Sequence, residues 1–166
     1  MSFRVLGISA HFHDSAAALV QDGQILAAAQ EERFSRRKGD ARWPAAAIAS
    51  CLAHLPAGER PDRVAYYEDP GHKIRRILDT ARGLAPSGAL QWPRMMHSLH
   101  TLAEDLPGQL TALAGAAERV VLVPHHRSHA ASAFYPSPCE TAAVLVLDGV
   151  GEAASTTLWH GSRDTG

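Results

Sequence analysis

The sequence predicts an α/β fold, and three observations lead to this prediction. Short apolar segments bounded by turn residues alternate with segments in which apolar residues recur at helical spacing. The chain has 166 residues, of which 46% are hydrophobic, enough for one compact domain or for part of a larger one. The Asp22-Gly23 pair between two apolar segments is typical of a β-hairpin, so antiparallel strands should open the chain.

The first part of the chain predicts a three-strand antiparallel meander. Short apolar runs place the strands at residues 4–8, 16–20 and 25–30. Alanine prefers helices, but the hairpin turn favours strands for the two alanine-rich segments. A polar loop at residues 11–15 separates the first two strands. We therefore expect a mixed sheet that opens with this meander and is flanked by helices.

The middle of the chain alternates helices with strands. Pro44 suits the first turn of an amphipathic helix over residues 44–55. The later elements are a strand at residues 63–67, a helix around 74–81, a looser connection at 83–93, helical segments around 95–102 and 110–117, a buried strand at 120–123, a helix from His125 or His126, and strands at 143–147 and 155–159. The last hairpin resembles the opening of the chain, which suggests a weak internal repeat.

Composition excludes several classes of function. The net charge is −1 and no long basic block is present, which argues against a nucleic-acid partner. No apolar run approaches the roughly 20 residues that span a bilayer, so we expect no membrane role. Two cysteines, Cys51 and Cys139, make no disulfide framework, and a cytoplasmic location fits best.

Two histidines one helical turn apart form the strongest candidate site. His125 and His129 should lie on one face of a helix, where both imidazoles can hold one divalent metal ion. Asp148, at the end of the following strand, can add an oxygen ligand, and the set suits Fe²⁺, Zn²⁺ or a similar ion. His126 is turned about 100° away and should not share the ion. The alternative is a helix terminus whose histidines are simply solvated.

Other polar segments have weaker signals. His11 and His13 in the first loop can face a ligand, with histidine as a general base, or can be solvated. The charged segment 31–38 is more typical of a solvated edge than of a phosphate site. Gly149 and Gly151 allow backbone amides to approach a phosphate, although a short Gly-x-Gly hairpin is a weak motif.

Five ordered blocks together resemble the amino-terminal part of the O-carbamoyltransferases that modify nodulation factors and antibiotics. These blocks are residues 7–10, 12–19, 31–36 with Lys38, 125–134 and 146–152. The resemblance implies a fold of the actin, sugar-kinase and Hsp70 type (ribonuclease H-like). In that family, a downstream YrdC-like domain makes carbamoyl adenylate from carbamoyl phosphate and ATP. The metal-bearing domain then transfers the carbamoyl group to a hydroxyl of a small-molecule or sugar acceptor.

The resemblance also assigns roles to residues. The iron ligands of the family fall on His125 and His129, and one of its aspartates falls on Asp148. His13 and Lys38 match positions near the transferred group, which implies a base and a contact to carbonyl or phosphate. Many relatives have His at the position of Gly39, so a substrate contact is lost or supplied elsewhere.

The same resemblance implies that residues 1–141 are the first half of the actin-like fold and that residues 142–166 begin a truncated second half. The rest of that half and the YrdC-like domain would lie beyond Gly166. We therefore expect an amino-terminal fragment that cannot complete the reaction alone. The alternative is a non-catalytic nucleotide- or metal-binding module that acts through a partner chain. A small-molecule kinase is disfavoured, because the first loop has the sequence His-Phe-His-Asp and is not the acidic, glycine- and threonine-rich phosphate loop of those enzymes.

Overall fold

A computed structural model of the chain describes residues 2–87, 92–149 and 151–164, without the side chains of Trp92 and Pro93. The predicted α/β class is confirmed. The chain forms two compact units. Unit 1 comprises Met1–Tyr67 and Gln91–Leu122, and unit 2 comprises Glu68–Leu90 and Val123–Gly166. The predicted division into residues 1–141 and 142–166 stays a prediction.

Unit 1 is built on a five-stranded mixed sheet. Its strands are β1 (Arg4–Ser9), β2 (Ala16–Gln21), β3 (Gln24–Gln30), β4 (Arg63–Tyr66) and β5 (Val120–Leu122). The strand order is β3-β2-β1-β4-β5. β2 pairs antiparallel with both β1 and β3, whereas β4 pairs parallel with both β1 and β5.

The core of unit 1 follows from the pleat of these strands. Alternate apolar residues such as Leu6, Leu19 and Val64 are buried, because successive side chains of a strand point to opposite faces. Tyr66 is also fully buried, and its hydroxyl donates a hydrogen bond of 2.9 Å to the carbonyl oxygen of Ala10. This bond satisfies a polar group that burial would otherwise penalise.

Six α-helices and two helical segments of other types lie in the described part of the chain. The α-helices are α1 (Glu32–Ser35), α2 (Ala45–Leu52), α3 (Pro70–Leu84), α4 (Trp92–His100), α5 (Leu106–Ala114) and α6 (His125–Phe134). A π-helical segment, Thr101–Asp105, joins α4 to α5, and a 3-10 turn, Ala117–Arg119, precedes β5. In these residues, no helix combines the length and the apolar character that crossing a bilayer requires.

The bounds of α2 and α5 differ from the prediction. α2 ends at Leu52 rather than at residue 55, because the amides of His54 and Leu55 donate to carbonyl groups three residues back and tighten the last turn. α5 begins and ends earlier than predicted. Gly115 ends it in the left-handed conformation (φ 81°), and its amide donates to the carbonyl oxygen of Thr111.

The prediction of a strand at residues 120–123 is confirmed for Val120–Leu122, but the prediction that this strand is buried was wrong. β5 is an edge strand of three residues, and Val121 and Leu122 are 41% and 43% exposed. The apolar residues predict that this segment is a strand, but whether the strand lies at the centre or the edge of the sheet depends on its partners. The predicted connection at residues 83–93 is partly helical, since α3 continues to Leu84, and its positions 88–91 lie outside the described residues.

Unit 2 contains α3, α6 and a hairpin of two antiparallel strands, β6 (Thr141–Leu147) and β7 (Thr156–Ser162). α6 packs against both strands. Phe134 and Val146 are buried there. A Cβ atom on Gly161 would lie only 2.8 Å from the Phe134 ring, so glycine is what allows the helix to approach β7 this closely.

Candidate metal centre

Two histidines at the start of α6 and one aspartate after β6 form the candidate centre in unit 2. α6 begins at His125, directly after Pro124, whose backbone is not helical (φ −52°, ψ 135°). His129 follows one turn later, and its ring centroid lies 4.6 Å from that of His125. Asp148 is held by its backbone amide, which donates to the carbonyl oxygen of Ser155 at 2.9 Å. Helical periodicity and the end of a strand therefore position the three side chains.

The ligand atoms of these residues converge. Nε2 of His125 lies 3.1 Å from Nε2 of His129 and 2.9 Å from Oδ2 of Asp148. Nε2 of His129 lies 3.9 Å from the same carboxylate oxygen. All three lie within 4.8 Å of one another, and they form the group of potential ligands found among the described residues. The structure thus brings together the three residues that the sequence singled out.

These separations suit a divalent ion. Nitrogen and oxygen ligands lie about 2.0–2.2 Å from an ion such as Zn²⁺, so neighbouring ligands lie about 2.8–3.6 Å apart in octahedral or tetrahedral geometry. The distances of 2.9 and 3.1 Å fall within that range, and the distance of 3.9 Å between Nε2 of His129 and Oδ2 of Asp148 is slightly longer. Two imidazoles and one carboxylate also match the ligand set of several catalytic metal sites with open positions. The donor set therefore fits a metal ion, whose presence stays a prediction.

The centre lies at the boundary between protein and solvent. The side chains of His125 and Asp148 are 12% and 22% exposed, whereas that of His129 is 51% exposed. Partial burial lowers the pKa of His129, and the neighbouring His125 lowers it further, while Asp148 acts in the opposite direction. The lowered pKa favours the neutral imidazole, which is the form that binds a metal.

His126 belongs to a different contact. It is buried, and its Nδ1 lies 2.9 Å from the hydroxyl of Thr157, which also accepts a hydrogen bond of 2.7 Å from Nε1 of Trp159. From the sequence, we predicted only that this histidine points away from the ion. In the structure it ties α6 to β7, which fixes the helix that carries the two candidate ligands.

The two glycines predicted to approach a phosphate differ from each other. A Cβ atom on Gly149 would have open space around it. On Gly151 it would lie 2.7 Å from the carbonyl oxygen of Ala154 and 3.0 Å from Nε2 of His126. Gly151 is therefore required by local packing, and the predicted nucleotide contact of both glycines stays a prediction.

A contact that sequence reasoning missed holds the loop after Asp148. The buried carboxylate of Glu152 accepts a hydrogen bond from the backbone amide of Asp69. Asp69 is the N-cap of α3, and its own carboxylate accepts from the amide of Gly71 at 2.8 Å. No local pattern in the sequence predicts this pair, because the partners are far apart along the chain. The contact connects the loop beside the candidate centre to the start of a long helix.

His13 and Lys38, the predicted catalytic residues, both belong to unit 1. His13 is exposed, and its Nδ1 lies 2.9 Å from Oδ2 of Asp14. Lys38 is exposed and, among the residues that the structure describes, forms no ion pair. Backbone hydrogen bonds of 2.8 Å join their two loops, from the amide of Ser15 to the carbonyl oxygen of Asp40 and from His11 to Ala41. The structure therefore holds these two loops side by side.

The prediction that segment 31–38 forms a solvated edge was wrong for Glu31. This carboxylate is buried and accepts hydrogen bonds from the amides of Ala47 and Ala46, at 2.9 and 3.4 Å. Those amides belong to the first turn of α2, whose N-cap residue, Pro44, provides no side-chain bond. Glu31 therefore satisfies amides that the helix itself leaves without partners.

An aspartate and an arginine fix the second of the two joined loops. Arg42 donates from Nε and Nη2 to the carboxylate of Asp40, at 3.0 and 2.7 Å. The side-chain hydrogen bond from Arg42, followed by that from Ser35, holds the pKa of the Asp40 carboxyl well below its usual range. The carboxylate is thus stabilised in its charged form.

Comparisons with known proteins identify relatives. Residues 4–165 match the family described as "Carbamoyltransferase N-terminus". An uncharacterized protein of Synechocystis is 44% identical over 170 aligned positions, which cover 95% of this chain and 27% of that protein. Nodulation protein NolNO of Sinorhizobium fredii is 35% identical over 154 positions, covering 90% of this chain and 21% of that protein. The chain therefore spans only 21–27% of the length of these relatives.

Proposed function

The chain belongs to the carbamoyltransferase amino-terminal family, and from this membership we propose that it is the metal-binding, acceptor-side part of an O-carbamoyltransferase. The observation that carries the proposal is the convergence of His125, His129 and Asp148, whose ligand atoms lie within 4.8 Å of one another. The similarity to a nodulation protein over 90% of the chain supports the same assignment.

The proposed reaction is an acyl transfer. The hydroxyl oxygen of the acceptor attacks the carbonyl carbon of carbamoyl adenylate, and a new C–O bond forms. The bond from that carbon to the phosphate oxygen breaks, AMP leaves, and the hydroxyl proton passes to a base. A carbamoyl group is a poor electrophile because of resonance, so the step needs an activated leaving group and a charge stabiliser at the carbonyl oxygen.

His125, His129 and Asp148 would hold the metal ion, for which the family resemblance favours Fe²⁺. When bound, a divalent ion supplies Lewis-acid stabilisation of a carbonyl or phosphoryl oxygen. The contribution of the chain itself is to fix the ligands. His126 and Thr157 hold α6 against β7, and the lowered pKa of His129 favours its neutral imidazole.

His13 is the proposed general base and Lys38 the proposed contact to a carbonyl or phosphate. The contact of Nδ1 of His13 with Asp14 supports the first role, because it favours a proton on Nδ1 and leaves Nε2 as the acceptor. The exposure of Lys38 supports the second role, since this ammonium group is not committed to a carboxylate among the described residues.

The remaining features of the proposal concern the whole protein. We assign its fold to the actin, sugar-kinase and Hsp70 type, which the mixed sheet with antiparallel opening strands supports. Carbamoyl adenylate would come from ATP and carbamoyl phosphate on a YrdC-like domain, with Gly149 and Gly151 near the nucleotide. Two free cysteines support a reducing, cytoplasmic location.

A reconstituted transfer assay tests this function. The protein is loaded with Fe²⁺ and mixed with a purified polypeptide that carries the rest of the second half-domain and the YrdC-like domain. ATP, radiolabelled carbamoyl phosphate and hydroxyl acceptors are then added. We expect label on the acceptor that depends on both polypeptides, and loss of that label with the double variant His125→Ala plus His129→Ala. His54→Ala, a surface histidine of unit 1, is the matched control.

Two results would overturn the proposal. One is an acceptor product that forms equally well with the double variant. The other is label that never leaves the carbamoyl donor across a panel of sugars and alcohols, although the protein binds its metal ion. In the second case the chain would be a metal-binding module without transferase activity.

A further inference from the structure

Unit 1 contains a cleft whose lining includes none of the candidate metal ligands. Its volume is about 440 Å³, within the range of small-molecule sites. One wall is formed by His11 and the loop that contains Arg42 and Trp43. The other wall is formed by the end of α4 and the π-helical segment, including Ser98 and Thr101. π-helical turns occur frequently at functional sites.

The first wall is held rigidly. The amide of His11 donates to the carbonyl oxygen of Ala41 at 2.8 Å, and the ring of His11 stacks on that of Trp43 with an interplanar angle of 24°. His11 has a positive φ of 69°, a conformation that is uncommon outside glycine and that persists only where surrounding contacts impose it. The indole of Trp43 is thus a preorganised surface for a ring.

The charge of the cleft argues against an anionic ligand. Its guanidinium group, that of Arg42, is already engaged by the carboxylate of Asp40 through two side-chain hydrogen bonds. This pair is neutral as a whole, so it attracts an anion less strongly than an unpaired guanidinium group would. A neutral ligand does not depend on that attraction.

The second wall offers hydroxyl groups that can accept new partners. The hydroxyls of Ser98 and Thr101 donate to backbone carbonyls of their own helix at 3.3 Å, near the long limit for O–H donors. Their oxygen lone pairs remain available to ligand hydroxyl groups. Beside them, Leu102 supplies an apolar floor. The cleft therefore combines an aromatic surface with hydrogen-bonding edges.

We propose that this cleft binds a neutral polyhydroxylated ring, namely a saccharide or a cyclic polyol. Such rings have apolar C–H faces that pack on an indole and equatorial hydroxyls that bond to Ser, Thr and His side chains. Identification of the ring as the carbamoyl acceptor rests on the proposed function. In that case the ring binds beside the loop of residues 11–15, which carries the proposed base His13.

Equilibrium binding to the 166-residue protein, without metal or carbamoyl donor, tests the cleft. Calorimetry uses glucose, N-acetylglucosamine and myo-inositol as probes, with adenosine and inorganic phosphate as competing classes. We expect saturable binding of at least one polyol at concentrations up to about 10 mM, and none of phosphate. Trp43→Ala should weaken that binding by about tenfold or more, whereas Phe34→Ala, an exposed aromatic outside the cleft, should leave it unchanged.

A second pair of variants keeps the test valid if Trp43→Ala fails to fold. Thr101→Val removes one hydroxyl at nearly constant volume and should weaken binding by about 2–10-fold, whereas Thr111→Val on α5 should have no effect. The proposal is wrong if no polyol binds, if adenosine binds in their place, or if Trp43→Ala and Thr101→Val leave the affinity unchanged. Polyol binding without carbamoyl transfer would refute the proposed function alone, and transfer without polyol binding would refute the cleft alone.

Discussion

Oδ2 of Asp148 lies 2.9 Å from Nε2 of His125, although His125 begins α6 and Asp148 directly follows β6. The strand that packs against α6 therefore also leads directly into this aspartate. When α6 packs against the β6–β7 hairpin, the three candidate ligands are therefore brought together at the same time. A metal ion bound here would stabilise the folded state of unit 2, because the unfolded chain does not hold the three ligands together.

Loss of both histidines should abolish specific metal binding. The double variant His125→Ala plus His129→Ala removes two of the three candidate ligands. We expect the affinity for Fe²⁺, or for Zn²⁺ as a redox-inert substitute, to fall by more than about 100-fold. Loss of residues that only hydrogen-bond to metal ligands typically lowers affinity by about 10–100-fold, and loss of two ligands should cost more. Anaerobic titration with the metal alone measures this, with His54→Ala as control. Equal affinities of both variants would refute the ligand assignment.

Replacement of the carboxylate tests the third ligand separately. Asp148→Asn keeps the size of the side chain but removes its charge, so metal affinity should fall by at least about tenfold. Asp79→Asn, an exposed aspartate on α3, should leave the affinity as it is. The same titration applies. If Asp148→Asn binds metal as the original protein does, the carboxylate is not a ligand.

The Asp40–Arg42 pair should make stability depend on pH. The pKa of Asp40 is lowered in the folded state, chiefly by Arg42, so its contribution is fully present above the unfolded pKa of about 3.9. It is lost as the pH falls through the lower folded value. Asp40→Asn should therefore reduce Tm at pH 7, and the difference from the original protein should shrink below about pH 4.

Thermal unfolding followed by circular dichroism between neutral and acidic pH measures this difference. Asp79→Asn is again the control, since its partner Arg82 and Asp79 itself are both largely exposed. A Tm difference for Asp40→Asn that is independent of pH would show that the ion pair is not its cause.

Glu31 should stabilise α2 through its hydrogen bonds to the first turn of that helix. Glu31→Ala removes the acceptors for Ala46 and Ala47 and should lower the free energy of unfolding by about 0.5–2 kcal/mol, as losses of helix caps do. Urea unfolding measures the change, and exposed Glu104→Ala should alter stability by less than about 0.5 kcal/mol. Equal effects of the two substitutions would contradict a capping role.

Gly161 should be intolerant of a side chain, whereas Gly108 should tolerate one. In Gly161→Ala the new methyl group meets the buried Phe134 ring at 2.8–3.0 Å, which should destabilise the protein by about 1–3 kcal/mol. Gly108 lies within α5 with open space around it, so Gly108→Ala should stabilise by about 0.5–1 kcal/mol. Urea unfolding compares both. A neutral Gly161→Ala would show that α6 can move away from β7 at little cost.

Local patterns in the sequence predict one part of the candidate site. The spacing of His125 and His129 determines their common helix face, and the end of a short apolar run places Asp148 at the edge of a strand. These inferences need only the geometry of a single helix or strand. The α/β class follows from similar patterns, because element type is a local property.

Contacts between distant segments were not predictable in this way. The bond of Glu31 to α2 and that of His126 to Thr157 join residues 16 and 31 positions apart. No local period encodes which buried carboxylate or imidazole meets which partner. The exposure of β5 was unpredictable for the same reason. Three apolar residues predict a strand, but they do not indicate whether a further strand pairs with it.

The bond between Glu152 and the amide of Asp69 spans 83 positions of the sequence. During synthesis on the ribosome, the start of α3 emerges long before its partner exists. During vectorial folding, strands β1–β4 can therefore pair before Glu152 has been synthesised. Until then, the amide of Asp69 at the start of α3 lacks its hydrogen bond to Glu152. Nascent chains arrested before Glu152 should consequently be cut by protease near Asp69 more readily than released chains.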